Sequence, residues 1–142
     1  MLERVRRLCP DAELNGVLVA PMCLDGVDTI CGVFRDPAFG PVVMFGLGGI
    51  HVEVMRDVTF RLAPFDVGEA GSMIEEIRGF GVLRGVRGAA PADIDCLADI
   101  LSRLSHFAYA NRALIKEIDI NPLRVMPKGG GAFALDALII PA

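Results

Sequence analysis

A chain of 142 residues is long enough for one domain with a substantial buried core. Its formal net charge of −4 and pI near 5.1 argue against nucleic-acid binding, because neutralising phosphates requires clustered Lys and Arg. Although 53% of the residues are hydrophobic, the apolar runs are short and broken by Gly and Pro, so no run is expected to span a bilayer. No apolar segment follows the basic residues near Met1, as a secretory signal would require. These features predict a cytoplasmic protein without nucleic-acid or membrane partners.

The cysteines predict neither a zinc site nor a disulfide framework. None of the four shares a CxxC spacing or has a His at metal-ligand spacing. Three of them lie among apolar residues, where a reduced cysteine acts as a small buried hydrophobic side chain.

The first part of the chain is dominated by patterns typical of strands. A short helix is expected to end near Cys9, followed by strand-like runs at 17–20, 27–34 and 42–45. Asp25-Gly26 is a strong turn dipeptide between the first two runs. We therefore expect a sheet built largely from antiparallel neighbours.

The first main helix has clear start signals. Asp66 is a good N-cap, Glu69 completes a capping-box-like pattern, and Phe65 is placed to pack onto Ala70 as a hydrophobic staple. Gly79 is expected to end the helix from the C′ position.

A second main helix is predicted over residues 91–109. Pro91 suits the first helical position, and Asp93 and Asp95 favour the positive end of the helix dipole. A buried stripe at spacings of three and four residues comprises Ile94, Leu97, Leu101, Leu104 and Ala108. Because strands and helices are segregated, the predicted fold class is α+β, with a largely antiparallel sheet and two main helices.

The last third of the chain carries the most informative polar pattern. In EIDINPL (117–123), alternation places Glu117, Asp119 and Asn121 on one face of a strand. If residue 126 pairs with residue 131 across a four-residue loop, Asn121 lies opposite Asp136 on the returning strand. Opposite residues share a face, so the three oxygen-bearing side chains of residues 119, 121 and 136 are expected to form one cluster.

Such a cluster has the ligand chemistry that Mg²⁺ prefers, with waters and substrate phosphates completing the octahedron. The alternative is a hairpin whose polar face simply meets water, which is common in antiparallel sheets. Asn121-Pro122 favours the first interpretation, because a proline interrupts the strand where the oxygens gather.

A family resemblance adds to this pattern. EIDINPL, followed some fifteen residues later by ALDA, resembles the metal-binding hairpin of ATP-grasp synthetases, especially NDP-forming acyl-CoA synthetases related to succinyl-CoA synthetase. GVLVAPM, GVDTICGVFRDPAFGPVVMFGLGGIHVEVMRDVTFRLAPF and GVRGAAPADID resemble further segments of that family in the expected order. The resemblance implies that residues 1–142 are a single partial ATP-grasp domain, its C-terminal portion.

The same resemblance implies roles for the hairpin residues. Asn121 and Asp136 would hold Mg²⁺ at the phosphates of ATP or ADP, and Asp119 would be catalytic, close to the phosphoryl-transfer centre. Two positions depart from the family pattern: Asp28 stands where Glu is usual and Pro21 where Gln is common. Either departure would weaken a nucleotide contact.

A glycine-rich turn follows the third strand-like run. Gly46, Gly48 and Gly49 match no Walker or Rossmann pattern, and such a turn is often only a tight connection. The resemblance favours a loop that binds the cofactor phosphates through backbone N–H groups, with Glu53 as a further polar contact. Arg61 is either a phosphate contact or a partner in a surface ion pair.

The activity implied for the parent enzyme is acid + CoA + ATP ⇌ acyl-CoA + ADP + phosphate, through an acyl phosphate and a phosphohistidine. The partners implied are the other ATP-grasp half and the CoA-binding and ligase domains, so this chain is expected to be inactive alone. His51 is not assigned the phosphohistidine role, because the family places that residue in a different domain. Two other interpretations stay open: a non-catalytic regulatory module, as in acetyltransferase fusions, and a half-domain that self-associates as a homodimer through an exposed apolar face.

Overall fold

A six-stranded antiparallel sheet dominates the part of the chain that the computed structural model describes, residues 1–48, 57–86 and 88–142. Its strands are β1 Val27–Asp36, β2 Gly40–Leu47, β3 Val58–Leu62, β4 Ile115–Val125, β5 Ala132–Ala134 and β6 Ala137–Pro141. Their order is β3-β2-β1-β4-β5, and β6 also pairs with β4. The helices are α1 Leu2–Leu8, α2 Val67–Glu75, α3 Phe80–Leu83 and α4 Ile94–Ala110. The predicted α+β class, with a largely antiparallel sheet, is confirmed.

Helices α2 and α4 pack on one face of the sheet, which we call the covered face. We call the opposite face the open face; Phe34 and Phe60 on it are exposed, whereas Ile30 and Val42 are buried. On the covered face, Cys31 and Val33 of β1 lie opposite Phe45 and Val43 of β2, and all four are buried. The core is completed by buried side chains of α2 and α4, which include Met73, Ile74, Leu97 and Leu101. None of the helices in the described ranges is long and apolar enough to cross a membrane.

The beginning of α2 follows its capping signals. The Asp66 carboxylate accepts the Glu69 N–H at 2.9 Å, and Phe65 and Ala70 are both buried in the same core. The predicted end of this helix was wrong. The Asp57 carboxylate accepts the N–H groups of residues 78 and 79 at 2.8 and 2.7 Å, so the chain leaves α2 after Glu75 and Gly79 instead precedes α3.

The first turn of α4 also differs from its prediction. The helix begins at Ile94, with Asp93 as the N-cap, and Pro91 is not its first helical residue. The Pro91 carbonyl instead accepts the Lys128 N–H at 2.9 Å, which holds this segment against the β4–β5 loop. The apolar stripe is confirmed: its members are buried or packed against the core, and His106 on another side of the helix is exposed.

The strand expected at 17–20 does not form. Among the described residues no strand pairs with this segment, and Leu18 is 94% exposed. An isolated extended segment has no ladder hydrogen bonds to stabilise it, so apolar β-propensity alone is insufficient here.

Candidate functional site

The hairpin formed by β4 with β5 and β6 has the register expected from the sequence. The Met126 N–H donates to the Gly131 carbonyl at 2.9 Å, and the Asn121 N–H donates to the Asp136 carbonyl at 3.2 Å. The same register continues on both sides, from Val125↔Ala132 to Ile120↔Ala137. Asn121 therefore lies opposite Asp136.

A bulge in β4 determines which way the site residues face. The pairs Thr29↔Leu123 and Cys31↔Ile120 show that two residue steps on β1 match three on β4. Because of the extra residue in β4, the alternation of side chains between the two faces of the sheet shifts by one position at residues 121–122. Ile118 and Leu123 are an odd number of residues apart, yet both therefore face the covered side, and both are buried. The Thr29 hydroxyl donates to the Leu123 carbonyl at 2.7 Å on the far side of the bulge.

The three residues predicted to form the cluster belong to the open face by their positions in the hairpin. Ile118 and Ile120 pair with the buried Val33 and Cys31 on the covered face, so Asp119 and Asn121, each one residue further along β4, belong to the open face. Asp136 is opposite Asn121 and shares its face. Asp119 is half-buried, whereas Asn121 and Asp136 are exposed to solvent. Register and strand alternation thus assign two carboxylates and one amide to the same side of the hairpin, and their convergence into one metal site stays a prediction.

The floor of the site beside Asp119 is formed by a glycine. Gly32 of β1 pairs with Asp119, and a Cβ at Gly32 would come within 2.8 Å of the Ile118 carbonyl oxygen. The negative charge of Asp119 reaches the covered face as well. Burial, and secondarily this charge, raises the pKa of the Cys31 thiol to about 12.

An ion pair that the sequence reasoning missed flanks the hairpin. Arg124 of β4 binds both carboxylate oxygens of Asp28, with Nε–Oδ1 at 2.7 Å and Nη2–Oδ2 at 2.9 Å, and also donates to the Cys23 carbonyl. Hydrogen bonding to Asp28 raises the pKa of Arg124 above its ordinary value. From the sequence, Asp28 was interpreted only as a shorter residue at a position where the family has Glu. The sequence does not show that Asp28 and Arg124 are neighbours, because that depends on how β1 pairs with β4.

Arg61 does not belong to the cluster. It pairs with the buried Val43, which places it on the face covered by α2, opposite to that of Asp119. Its guanidinium binds Glu69, and Glu76 at 2.5 Å. The ion-pair alternative describes Arg61 in this structure, and its role as a phosphate contact stays a prediction.

Two of the three predicted loop glycines have structural reasons to be glycine. A Cβ at Gly46 would lie 2.7 Å from the Asp57 carbonyl oxygen, and one at Gly48 would lie 3.0 Å from the backbone of Asp28. The Gly48 N–H already donates to the Asp28 carbonyl at 2.8 Å. Gly49, Glu53 and His51 lie outside the described residues. The phosphate-binding role of this loop stays a prediction.

Within the ranges that the structure describes, no group of three or more His, Cys, Asp or Glu side chains converges as a metal site. The hairpin cluster has a different composition, because one of its three oxygen donors is the amide of Asn121.

The open face also carries an apolar patch. Phe34 and Phe60 meet edge to face, with ring centroids 6.0 Å apart, and both rings are exposed. Leu62 and Leu138 extend the patch toward the two ends of the sheet, and each is more than half exposed. Leu138 pairs with Asp119, so the patch adjoins the polar cluster.

Known proteins resemble this chain throughout its length. The family model of the ATP-grasp domain matches residues 1–140. The chain is 48% identical, over 97% of its length, to the beta subunit of ADP-forming acetate–CoA ligase II of Pyrococcus furiosus, of which it covers 58%. It is 43% identical, over 98% of its length, to the ADP-forming 4-hydroxybutyrate–CoA ligase of Nitrosopumilus maritimus, of which it covers 20%.

A solved structure gives the same result. The dinucleotide-forming acetyl-coenzyme A synthetase 1 of Ca. Korarchaeum cryptofilum, in complex with coenzyme A and Mg-AMPPCP, superimposes with a TM-score of 0.79 at 45% identity, covering 84% of this chain and 55% of that one. A complex of the same enzyme with coenzyme A, acetyl-coenzyme A and a phosphorylated phosphohistidine segment reaches a TM-score of 0.87 and covers 99% of this chain and 62% of that one. The chain therefore spans less than two thirds of these relatives. By sequence and by fold, it belongs to the ATP-grasp family.

Proposed function

We propose that this chain is the C-terminal, nucleotide- and Mg²⁺-binding portion of an ATP-grasp domain in an NDP-forming acyl-CoA synthetase. The observation that carries the proposal is the hairpin register that sets Asn121 opposite Asp136 on the open face. Two relatives that match across nearly the whole chain are beta subunits of ADP-forming acetate–CoA ligases, and the similar acetyl-coenzyme A synthetase 1 was solved with Mg-AMPPCP bound.

The donor set fits a magnesium ion. Carboxylate and amide oxygens are hard ligands, and the exposure of Asn121 and Asp136 leaves room for waters and phosphate oxygens in the remaining positions. When bound there, Mg²⁺ would neutralise the negative charge of the nucleotide phosphates. Asn121 of β4 would hold the ion together with Asp136, which lies in the bend between β5 and β6 and opposite Asn121. Asn121 shares a face with Asp119 because the two residues are two positions apart on β4.

Asp119 would face the reacting phosphates. It is half-buried, beside a glycine that leaves the neighbouring position on β1 without a side chain. Its carboxylate therefore lies at the floor of the open face, and we assign it the catalytic position next to the transferred phosphoryl group. The glycine loop with Gly49 and Glu53 is assigned to the phosphates from the other end of β2.

The parent activity proposed is acid + CoA + ATP ⇌ acyl-CoA + ADP + phosphate, in the cytoplasm. This chain supplies one wall of the nucleotide site, and the other ATP-grasp half and the CoA-binding and ligase domains supply the rest. The relatives support this division, since the chain covers 58% of one ligase subunit and 20% of a longer ligase. On this proposal the chain alone does not turn over substrate.

A second candidate function is self-association of the half-domain without catalysis. The observation in its favour is the exposed apolar patch of Phe34, Phe60, Leu62 and Leu138, since large apolar patches on soluble proteins usually mark interaction surfaces. Sedimentation velocity distinguishes the two functions. A tight dimer without nucleotide affinity would favour self-association over the synthetase proposal.

The proposed function is tested by measuring ADP affinity with Mg²⁺ and with EDTA. The wild-type chain is expected to bind ADP more tightly with Mg²⁺, and Asp136→Asn is expected to lose most of that difference. Asp99→Asn is a matched control, because Asp99 is exposed on α4 and is paired with Arg103 at 3.6 Å. Equal ADP affinity with and without Mg²⁺, or a full Mg²⁺ effect in Asp136→Asn, would contradict the proposal.

A further inference from the structure

A residue of α4 holds the loop at the end of the β4–β5 hairpin. The Asp93 Oδ2 atom accepts the N–H groups of Gly129 and Gly131, at 3.0 and 2.9 Å. Its Oδ1 atom accepts the Cys96 N–H at 3.4 Å and caps the helix. Asp93 is only 8% exposed, so one nearly buried carboxylate joins two separate elements.

Backbone contacts reinforce this junction. The Asp93 N–H donates to the Met126 carbonyl at 2.8 Å, and the Lys128 N–H donates to the Pro91 carbonyl at 2.9 Å. Between these two hydrogen bonds, Ala92 forms an isolated antiparallel bridge with Pro127. Residues 91–93, directly before α4, therefore run antiparallel to residues 126–128 at the start of the hairpin loop.

The loop needs such an external anchor. Gly129 and Gly131 have φ angles of +84° and +74°, and glycine pays the largest entropy cost when it is ordered. β5 has only three residues, so few ladder hydrogen bonds separate the loop from the oxygen cluster. A slip of one residue in this register would turn Asp136 to the other face.

We propose that Asp93 is a positioning residue for the hairpin: by binding the N–H groups of Gly129 and Gly131, it fixes the register that sets Asp136 opposite Asn121. This inference rests on the proposed function, because it assigns Asp93 to the support of the same metal site. Asp93 does not touch the metal or the nucleotide, and it acts through the loop.

The electrostatics agree with this role. The Gly131 N–H is the main cause that holds the pKa of Asp93 below its ordinary value, and the Cys96 and Gly129 N–H groups act in the same direction. The carboxylate is thus ionised at neutral pH and forms charge-assisted hydrogen bonds with both glycines.

Two variants separate support of the loop from capping of the helix. Asp93→Ser keeps a good N-cap for α4, but its shorter side chain with a single oxygen loses the bonds to the glycines. Asp93→Ala loses both functions. Asp66→Ala is the matched control, because Asp66 caps α2 through the Glu69 N–H at 2.9 Å and has no bond to the hairpin.

The experiment uses Mn²⁺ as the metal probe and amide hydrogen exchange as the structural readout, both on the full 142-residue chain. In Asp93→Ser, we expect faster exchange at Gly129 and Gly131 and Mn²⁺ affinity weakened by about tenfold, as for the loss of other groups that orient metal ligands. Asp66→Ala should lower stability and leave Mn²⁺ affinity unchanged.

Specific outcomes would overturn the inference. Wild-type Mn²⁺ affinity in Asp93→Ser would show that Asp93 does not position the ligands, while the proposed metal site would stand. Mn²⁺ binding in the wild-type chain that survives Asp136→Asn would refute the site itself, and the inference with it. If Asp93→Ser does not unfold cooperatively, Asp93→Asn replaces it as the test variant. The amide oxygen of Asn keeps an acceptor for the Cys96 N–H, but its NH₂ group faces the N–H groups of the two glycines. Weakened Mn²⁺ binding is again expected, and wild-type Mn²⁺ affinity would again contradict the inference.

Discussion

Replacing Gly32 by alanine should destabilise the sheet at the floor of the site. The added methyl group would lie 2.8 Å from the Ile118 carbonyl oxygen and 3.9 Å from the Asp119 Cα. Since the nearer atom belongs to the backbone, β4 has to shift, and over-packing of this kind costs about 1–3 kcal/mol. Alanine also lowers the entropy of the unfolded chain, which offsets about 0.4–1 kcal/mol. The expected net loss of unfolding free energy is therefore about 1.3 kcal/mol at the middle of the two ranges and about 2.6 kcal/mol at most.

Urea unfolding at 25 °C measures this effect, with Gly71→Ala as the control. Gly71 lies within α2, a Cβ there meets no atom within 4 Å, and a helical Gly→Ala change should stabilise by about 0.5–1 kcal/mol. Because Gly32→Ala displaces β4 at Asp119, it should also weaken Mg²⁺-dependent ADP binding, and Gly71→Ala should not. A Gly32→Ala chain as stable as wild type would show that β1 and β4 do not pack closely enough at Gly32 to exclude a methyl group.

Two further predictions concern titratable groups. The Cys31 thiol is fully buried and burial raises its pKa to about 12, so it should resist iodoacetamide at pH 8 in the folded chain. The exposed Cys9 should react under the same conditions. Rapid labelling of Cys31 in the folded chain would contradict this prediction. The pKa of Asp93 is lower in the folded chain, mainly because of the hydrogen bond from Gly131 and in small part because of the charge of Lys128. The ionised Asp93 carboxylate therefore stabilises the folded chain above about pH 4, and this contribution to the unfolding free energy is lost as the pH falls further. The stability difference between wild type and Asp93→Asn should therefore narrow between pH 6 and pH 2 in urea unfolding, and a difference independent of pH would contradict it.

The sequence predicted local features that depend on short-range chemistry. The Asp66 cap and the apolar stripe of α4 were correct, because capping and helical periodicity depend on residues within a few positions of each other. The hairpin register was also correct, since a four-residue loop leaves few ways to pair β4 with the returning chain. These features sufficed to bring Asn121 and Asp136 together.

Contacts between distant segments were not predictable from the pattern. Asp57 ends α2 from a position 21 residues away, and the β4–β5 loop engages Pro91, which delays the start of α4. Arg61 is neutralised by Glu69 of α2 and by Glu76, the residue directly after that helix, a pairing that only the tertiary packing reveals. In each case a remote polar partner overrode a local preference.

The missing strand at 17–20 has a related explanation. Its residues have high β-propensity, but the described part of the chain offers no strand to pair with them. Sequence patterns report that a segment is suited to a sheet, and they do not show whether the partner strand is present.

We propose that the open face of the hairpin binds a divalent metal through Asn121 and Asp136. The most direct test of this proposal is paramagnetic broadening of backbone amide resonances by Mn²⁺ in the isotope-labelled chain with ADP present. We expect broadening centred on residues 119–121 and 135–137, abolished by excess Mg²⁺ and absent in Asp136→Asn. Broadening centred elsewhere on the chain, or an unchanged pattern in Asp136→Asn, would contradict it.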